Sequence, residues 1–177
     1  MLVKRFVIDF AAEDVPSCGY RTYRIEKCDS KPIYEGSLTC ESSPYISLAN
    51  DSFRLAIVDE ILSLERFDEF SGNDCYAFPN TFEDTGDIGD EYLHIKPNNN
   101  TTVNNLESSN QWTLIDNGSV SATIRLDTTL TVPVEADTKN SSRSELTVDC
   151  PITTYLTVSN GIPRIDIVTE IDNKAKD

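Results

Sequence analysis

The clearest pattern of apolar and polar positions runs from residue 120 to 134. Val120, Ala122, Ile124, Leu126, Leu130, Val132 and Val134 fall on alternate positions, and Thr128 continues the same face. Ser121, Thr123, Arg125, Asp127, Thr129, Thr131 and Pro133 take the other face. A period of two held for about fifteen residues specifies a strand and excludes a helix. At about 3.3 Å per residue the run spans roughly 50 Å, so a bend or bulge is expected in it. Asn117-Gly118 precedes it and supplies the positive φ values of a type I′ hairpin turn. Residues 111–116 then form the partner strand, with Ile115 opposite Val120 and Trp112 opposite Thr123. The same logic makes a second hairpin from 152–159, Asn160-Gly161 and 162–172, with Leu156 facing Ile165. Ile165, Ile167, Thr169 and Ile171 share one of its faces, and Asp166, Glu170 and Asp172 the other. Residues 143–149 add one more strand.

The first half of the chain is less regular. Leu2, Phe6, Ile8 and Phe10 alternate with Arg5 and Asp9, which predicts a strand over 2–10. A turn at 14–17 leads to a second predicted strand over 19–26. Residues 27–44 are polar, carry Pro32, Gly36 and Pro44, and read as a connection. Residues 52–58 and 61–67 read as strands meeting at Asp59-Glu60. Leu55, Val58, Leu62 and Glu65 also sit at helical spacing, and the two periods do not separate here. Residues 68–90 read as a long loop, and 98–110, rich in Asn, Thr and Ser, as a surface linker. The sum is about nine or ten mostly antiparallel strands and no convincing helix, which a two-sheet sandwich would bury.

Composition narrows the function classes. The 177 residues hold 15 Lys and Arg against 30 Asp and Glu, a net charge of -15. So acidic a surface argues against nucleic-acid binding and against docking on anionic membranes. No segment approaches the roughly 20 apolar residues of a membrane span. The opening residues are basic but lead into no apolar run, so no secretory signal is expected, and the expected location is cytoplasmic. The five cysteines, at 18, 28, 40, 75 and 150, are odd in number and widely spaced. They fit neither a disulfide framework nor a zinc knuckle, and read as small reduced core residues. The chain stops at residues 173–177, directly after a strong strand, which suggests a cut through a domain or an unusual edge.

Candidate chemistry gathers in one acidic loop. Glu83, Asp84, Asp87, Asp90 and Glu91 place five carboxylates in nine residues, with Gly86 and Gly89 among them. Such a loop could wrap a hard cation such as calcium, although the spacing is not that of an EF-hand. It could hydrogen-bond sugar hydroxyls, or it could be a solvated loop whose carboxylates cap its own amides. His94, the only histidine, belongs to no spaced ligand cluster and reads as a strand residue. Trp112, beside the first hairpin, reads more as core than as a sugar platform. Neither a Gly-rich phosphate loop nor a Gly-x-Ser-x-Gly elbow is present.

Three segments, in order, resemble glycoside hydrolase family 38, the α-mannosidases, in its bacterial branch. The loop from Thr81 to Tyr92 is similar to the family's Phe-Glu-Asp-x-Gly-Asp-x-Gly-Asp-x-Tyr stretch. Gly161-Ile162-Pro163-Arg164-Ile165-Asp166, with the run from Thr169 to Asp177, resembles a second. Residues 15–23 resemble the Pro-Pro-x-Gly-Tyr-x-Thr-Tyr segment that closes the family's small β domain. The resemblance implies the end of that small domain over 1–33, a linker over 34–43, and the first part of a large β domain over 44–177. It implies an all-β, antiparallel β-sandwich of supersandwich type, like that of galactose mutarotase, and incomplete. For the parent protein it implies retaining hydrolysis of α-mannosides with a bound zinc. The nucleophilic aspartate and the zinc ligands lie outside the matched segments, so no catalytic residue, metal ligand or cofactor is expected on this chain. The implied partners are a catalytic domain of the same polypeptide and a mannose-containing glycoside. The residues expected to reach the cleft are Glu83, Asp84, Asp87, Asp90 and Tyr92. The alternatives are a free-standing carbohydrate-binding sandwich and a purely structural interaction domain.

Overall fold

The computed structural model describes residues 5, 7–8, 10–12, 14–27, 29, 36–58, 61–67, 74–77 and 80–176. Thirteen strands occur among them, in chain order: β1 (Thr39–Glu41), β2 (Ile46–Ala49), β3 (Phe53–Val58), β4 (Ile61–Arg66), β5 (Asp74–Ala77), β6 (Glu83–Asp84), β7 (Val103–Asn104), β8 (Gln111–Asn117), β9 (Ser121–Pro133), β10 (Ala136–Asp137), β11 (Ser142–Arg143), β12 (Thr147–Ser159) and β13 (Ile165–Ile171). There is no helix among the described residues, and so none long and apolar enough to cross a membrane.

The fold is an all-β antiparallel sandwich. One sheet has the order β1-β2-β3-β4-β5 and the other β13-β12-β9-β8, with two short ribbons, β6-β7 and β10-β11. The alternation over 120–134 becomes β9, with Ala122, Ile124, Leu126, Thr128, Leu130 and Val132 all buried. Its inner face meets the five-stranded sheet at one end, where Leu48, Phe53, Leu55, Ile57 and Leu62 pack on Ala122, Ile124, Leu156 and Val158. At the other end Leu130, Val132, Cys150 and Ile152 form a second cluster, covered by Phe82, Val103, Val148 and Ala175. Each such Leu or Ile contributes about 1.5–3 kcal/mol by leaving water. Between the two clusters lies a polar band. Thr128 and Thr154 are buried there, and Thr154 shares a 3.2 Å hydrogen bond with Thr169.

Several expectations are corrected. Residues 152–159 and 143–149 are not separate strands, because β12 runs unbroken from Thr147 through Pro151 to Ser159. Pro151 accepts a hydrogen bond from the Asp172 N–H, so its own nitrogen faces that side, at the end of β13. The ladder with β9 therefore loses nothing to the missing N–H. In the second hairpin Leu156 faces Ile167, not Ile165, which pairs with Val158. The connection is longer than two residues and contains Pro163, although Gly161 does take φ 65°. In the first hairpin Trp112 faces Leu126 and Leu114 faces Ile124, with a bulge between Leu114 and Asp116 that takes Ile115 out of register. Neither Asn117 nor Gly118 has positive φ; the Gly118 N–H instead bonds the Ser121 carbonyl at 2.9 Å. Trp112 is half-buried against the first cluster.

Residues 53–58 and 61–66 are strands, which resolves the helix alternative; Asp59-Glu60 lie outside the described residues. The connection over 27–44 holds β1, paired to β2. The loop over 68–90 holds β5 and β6, and the linker over 98–110 holds β7. These strands are too short for their periodicity to show. The predicted strand over 19–26 carries no ladder. Tyr20 and Ile25 are exposed, and among the described residues no strand lies paired beside them. The strand over 2–10 lies partly outside the described residues; the described part, residues 5, 7–8 and 10, is not a strand. Cys150 is buried and Cys40 half-buried, as small core residues would be, but Cys18 and Cys75 are exposed. All four are free thiols; Cys28 lies outside the described residues.

Candidate functional site: an anchored acidic loop

The acidic loop is held at its base by buried polar groups. β6 pairs with β7, setting Glu83 opposite Asn104 and Asp84 opposite Val103. Asn105 follows at once and is buried. Its side chain accepts the Phe82 N–H at 2.7 Å and donates to the Asn80 carbonyl at 3.0 Å. Asp84 forms an ion pair with Arg143, whose side chain is almost wholly buried. The Arg143 backbone is gripped by Asn99, which accepts its N–H at 2.7 Å and donates to its carbonyl at 3.0 Å. Gly86 is buried against this arginine, and a Cβ there would lie 2.7 Å from the Pro97 ring and overlap the Arg143 stem. No larger residue fits, which is why a glycine opens the turn.

Beyond Gly86 the chain makes a small hairpin. The Ile88 N–H donates to the Ile95 carbonyl at 2.9 Å, and the Asp90 N–H to the Leu93 carbonyl at 3.3 Å. Asp87 lies across its neck. One carboxylate oxygen accepts the Gly89 N–H at 2.8 Å and the Ile95 N–H at 3.0 Å. The other lies 3.0 Å from His94 Nδ1. The Ile95 and Gly89 N–H groups, and then His94, hold the Asp87 carboxyl below its ordinary pKa. Asp90 repeats the device at the tip, accepting the Tyr92 and Leu93 N–H groups at 2.9 Å each. These are Asx turns, in which a short acidic side chain replaces a backbone acceptor.

The five expected residues therefore divide. Asp84, Asp87 and Asp90 face partners inside the chain, while Glu83 is exposed at the base. Tyr92 stands at the tip, 89% exposed, beside the exposed Leu93. The carboxylates do not converge. Among the described residues no three His, Cys, Asp or Glu side chains come together as a metal would require, so neither calcium nor zinc is assigned ligands here. His94 is not in a strand; it is tied to Asp87 through Nδ1. Sequence reasoning missed Asn80, Asn105 and Arg143. The two asparagines lay in runs read as loop and linker, and Arg143 lay 59 residues from Asp84, a separation that no local spacing reveals.

This loop-bearing sandwich has known counterparts. No protein-family model matches the chain. A putative mannosylglycerate hydrolase of Halalkalibacterium halodurans is 28% identical over 116 residues, which is 58% of this chain and 13% of that protein. The crystal structure of a glycosyl hydrolase family 38 protein from Enterococcus faecalis matches 82% of this chain with a TM-score of 0.70 at 26% identity. An α-mannosidase from Enterococcus faecalis V583 matches 81% of it with a TM-score of 0.69, also at 26% identity. The chain spans less than a fifth of either structure, 19% and 18%. The resemblance to glycoside hydrolase family 38 carried by the three motifs is thus borne out by structural neighbours of that family.

Proposed function

We propose that the chain is a non-catalytic β-domain portion of a longer retaining α-mannosidase, and that the loop over 83–92 shapes that enzyme's sugar cleft. The observation that carries this reading is the contrast within the loop. Asp87 and Asp90 are engaged in holding its own backbone, while Tyr92 is presented to solvent on a fixed tip. A tyrosine so placed offers a ring face to sugar C–H groups and a phenol to a hydroxyl. Glu83, exposed at the loop base, and Glu91, exposed beside Tyr92, are also placed to accept a sugar hydroxyl. Asp84, Asp87 and Asp90 act as positioning residues. In this reading the two carboxylates of the retaining reaction, set about 5 Å apart, and the zinc ligands belong to a separate catalytic domain. The free thiols of Cys18, Cys40, Cys75 and Cys150 suit a reducing, cytoplasmic location.

The test is hydrolysis of an aryl α-mannoside, with and without added zinc, by this chain and by the longer polypeptide that contains it. Turnover by the longer polypeptide alone is the expected result; turnover by this chain alone overturns the non-catalytic assignment. In the longer polypeptide, Tyr92→Ala is expected to lower kcat/KM by about tenfold, the worth of one hydrogen bond with its packing. Wild-type kinetics in a folded Tyr92→Ala protein would remove the loop from the cleft.

A further inference from the structure

Each of the two hairpin connections contains an Asn-Gly pair, and the fold holds them in opposite ways. At Asn117-Gly118 the glycine N–H is tied, donating to the Ser121 carbonyl at 2.9 Å. The Asn117 side chain is exposed and has no hydrogen bond among the described residues. At Asn160-Gly161 it is the asparagine that is tied. Its Oδ1 accepts the Ser37 N–H at 3.0 Å and the Leu38 N–H at 3.3 Å, with the Ser37 hydroxyl at 3.5 Å. Its own N–H donates to the Val120 carbonyl at 2.9 Å. The buried Asn50 donates to the Ser159 and Ile162 carbonyls at 3.0 Å each, so both flanks of the pair are fixed.

The Gly161 N–H, between those flanks, has no partner among the described residues. The bond that closes the turn, from the Ile162 N–H to the Ser159 carbonyl, is 3.5 Å long, at the weak limit for such a bond. Apart from its chain neighbours, no atom lies within 4 Å of the place a Gly161 Cβ would take. The glycine nitrogen therefore has room to turn toward the side chain before it. Two N–H groups on the Asn160 Oδ1 draw electrons from Cγ and stabilise the charge that this oxygen gains when a nucleophile adds.

We propose that Asn160-Gly161 is a self-modification site promoted by these hydrogen bonds. The Gly161 nitrogen attacks the Asn160 Cγ and gives its proton to water. The Cγ–Nδ2 bond breaks, Nδ2 takes a proton from water, and ammonia leaves a succinimide ring. Water then opens the ring at one of its two carbonyls. Opening at Cγ gives an aspartate in the original chain path. Opening at the main-chain carbonyl gives an isoaspartate, whose extra methylene lies in the main chain. The net change is hydrolysis of one side-chain amide, and water is the only co-reactant.

The two products differ in what they do to the fold. The aspartate still presents an oxygen to Ser37 and Leu38. The isoaspartate lengthens the turn and carries its carboxylate away from them, which frees the residues that lead into β1. Leu38 packs on the first apolar cluster, so the release loosens a tie between the two sheets. The site is independent of the mannosidase reading.

The test incubates the full chain in mildly alkaline buffer and follows the mass gain at each Asn-Gly pair by peptide mapping. In the folded chain Asn160 is expected to convert at least about tenfold faster than Asn117, a fraction of what one oxyanion donor contributes in an enzyme. In urea, where neither set of hydrogen bonds exists, the two rates are expected to converge. Ser37→Pro deletes one of the two N–H donors and is expected to slow conversion of Asn160 about tenfold; Ser37→Ala, which keeps that donor, is expected to leave the rate unchanged. Amide exchange at Leu38 is expected to rise in the isoaspartyl fraction. Conversion of Asn117 as fast as Asn160 in the folded chain, or a difference that persists in urea, overturns the proposal. So does an unchanged Asn160 rate in a Ser37→Pro chain whose circular dichroism matches the wild type.

Discussion

Asp87 and Ile95, eight residues apart, close the neck of the acidic loop through one 3.0 Å hydrogen bond from the Ile95 N–H to the Asp87 carboxylate. The same oxygen holds Gly89, so one side chain fixes both arms of the hairpin. Asp87→Ala is expected to free both amides and raise their exchange rates at least about tenfold. Asp87→Asn keeps an acceptor oxygen and is expected to retain most of the protection. The strands of both sheets should be unaffected by either variant. Equal loss in Ala and Asn would show that the charge toward His94, not the acceptor geometry, holds the neck.

Acid should release the same anchor. The Asp87 carboxyl is held below the ordinary 3.8, so the folded loop binds its proton less readily than an unfolded chain. The stabilisation is fully present above the unfolded value and is lost as pH falls through the lower folded value. Asp127, through Arg125, and Asp137, through Asn140, shift the same way and add to the acid sensitivity. In an NMR titration the Ile95 and Gly89 amide shifts are expected to move with a midpoint below 3.8. A midpoint at or above that value would contradict the anchoring role.

Gly89 is required for a steric reason. A Cβ on it would overlap the carbonyl oxygen of Leu93, which accepts the Asp90 N–H across the turn. Gly89→Ala is expected to break that bond and disorder the tip around Tyr92, while the melting temperature changes by no more than a few degrees. Amide exchange at Asp90 set beside a thermal melt checks both halves.

Arg143→Met is expected to cost about 2 kcal/mol in urea denaturation. The substitution keeps much of the packed stem and leaves Asp84 without its partner. That is below the 3–5 kcal/mol for breaking a fully buried pair, because about a third of the Asp84 side chain remains exposed, 31%. Pairing it with Asp84→Leu is expected to recover part of the loss; no recovery would mean that the Arg143 side chain acts through contacts other than Asp84, such as its bond to the Thr101 carbonyl.

Much of the fold was legible from the residues, and what was not has a physical reason. The face of β9 could be read because a period of two over thirteen residues has no helical imitation. The hairpin registers could not, because Asn-Gly indicates a turn without fixing its length. Ile115 in its bulge and Pro163 in its loop each shift the pairing. β6 and β7, of two residues each, are too short to alternate and exist because Asn105 and Arg143 hold them from a distance. The acidic loop showed its composition but not its use, since an Asx turn and a ligand-facing carboxylate have the same spelling.

The buried threonines between the two apolar clusters also act as a key. Leu, Ile and Val alternate along β9 and β12 so uniformly that sliding one strand by two residues would keep every apolar side chain inside. Thr128 and Thr154 do not permit the slide. They meet Asn105 at 3.5 Å and Asn80 at 3.3 Å, and a shifted strand would set an aliphatic group against those amides and a hydroxyl against hydrocarbon. Two polar side chains in an otherwise apolar face thus give the longest ladder of the molecule a single alignment.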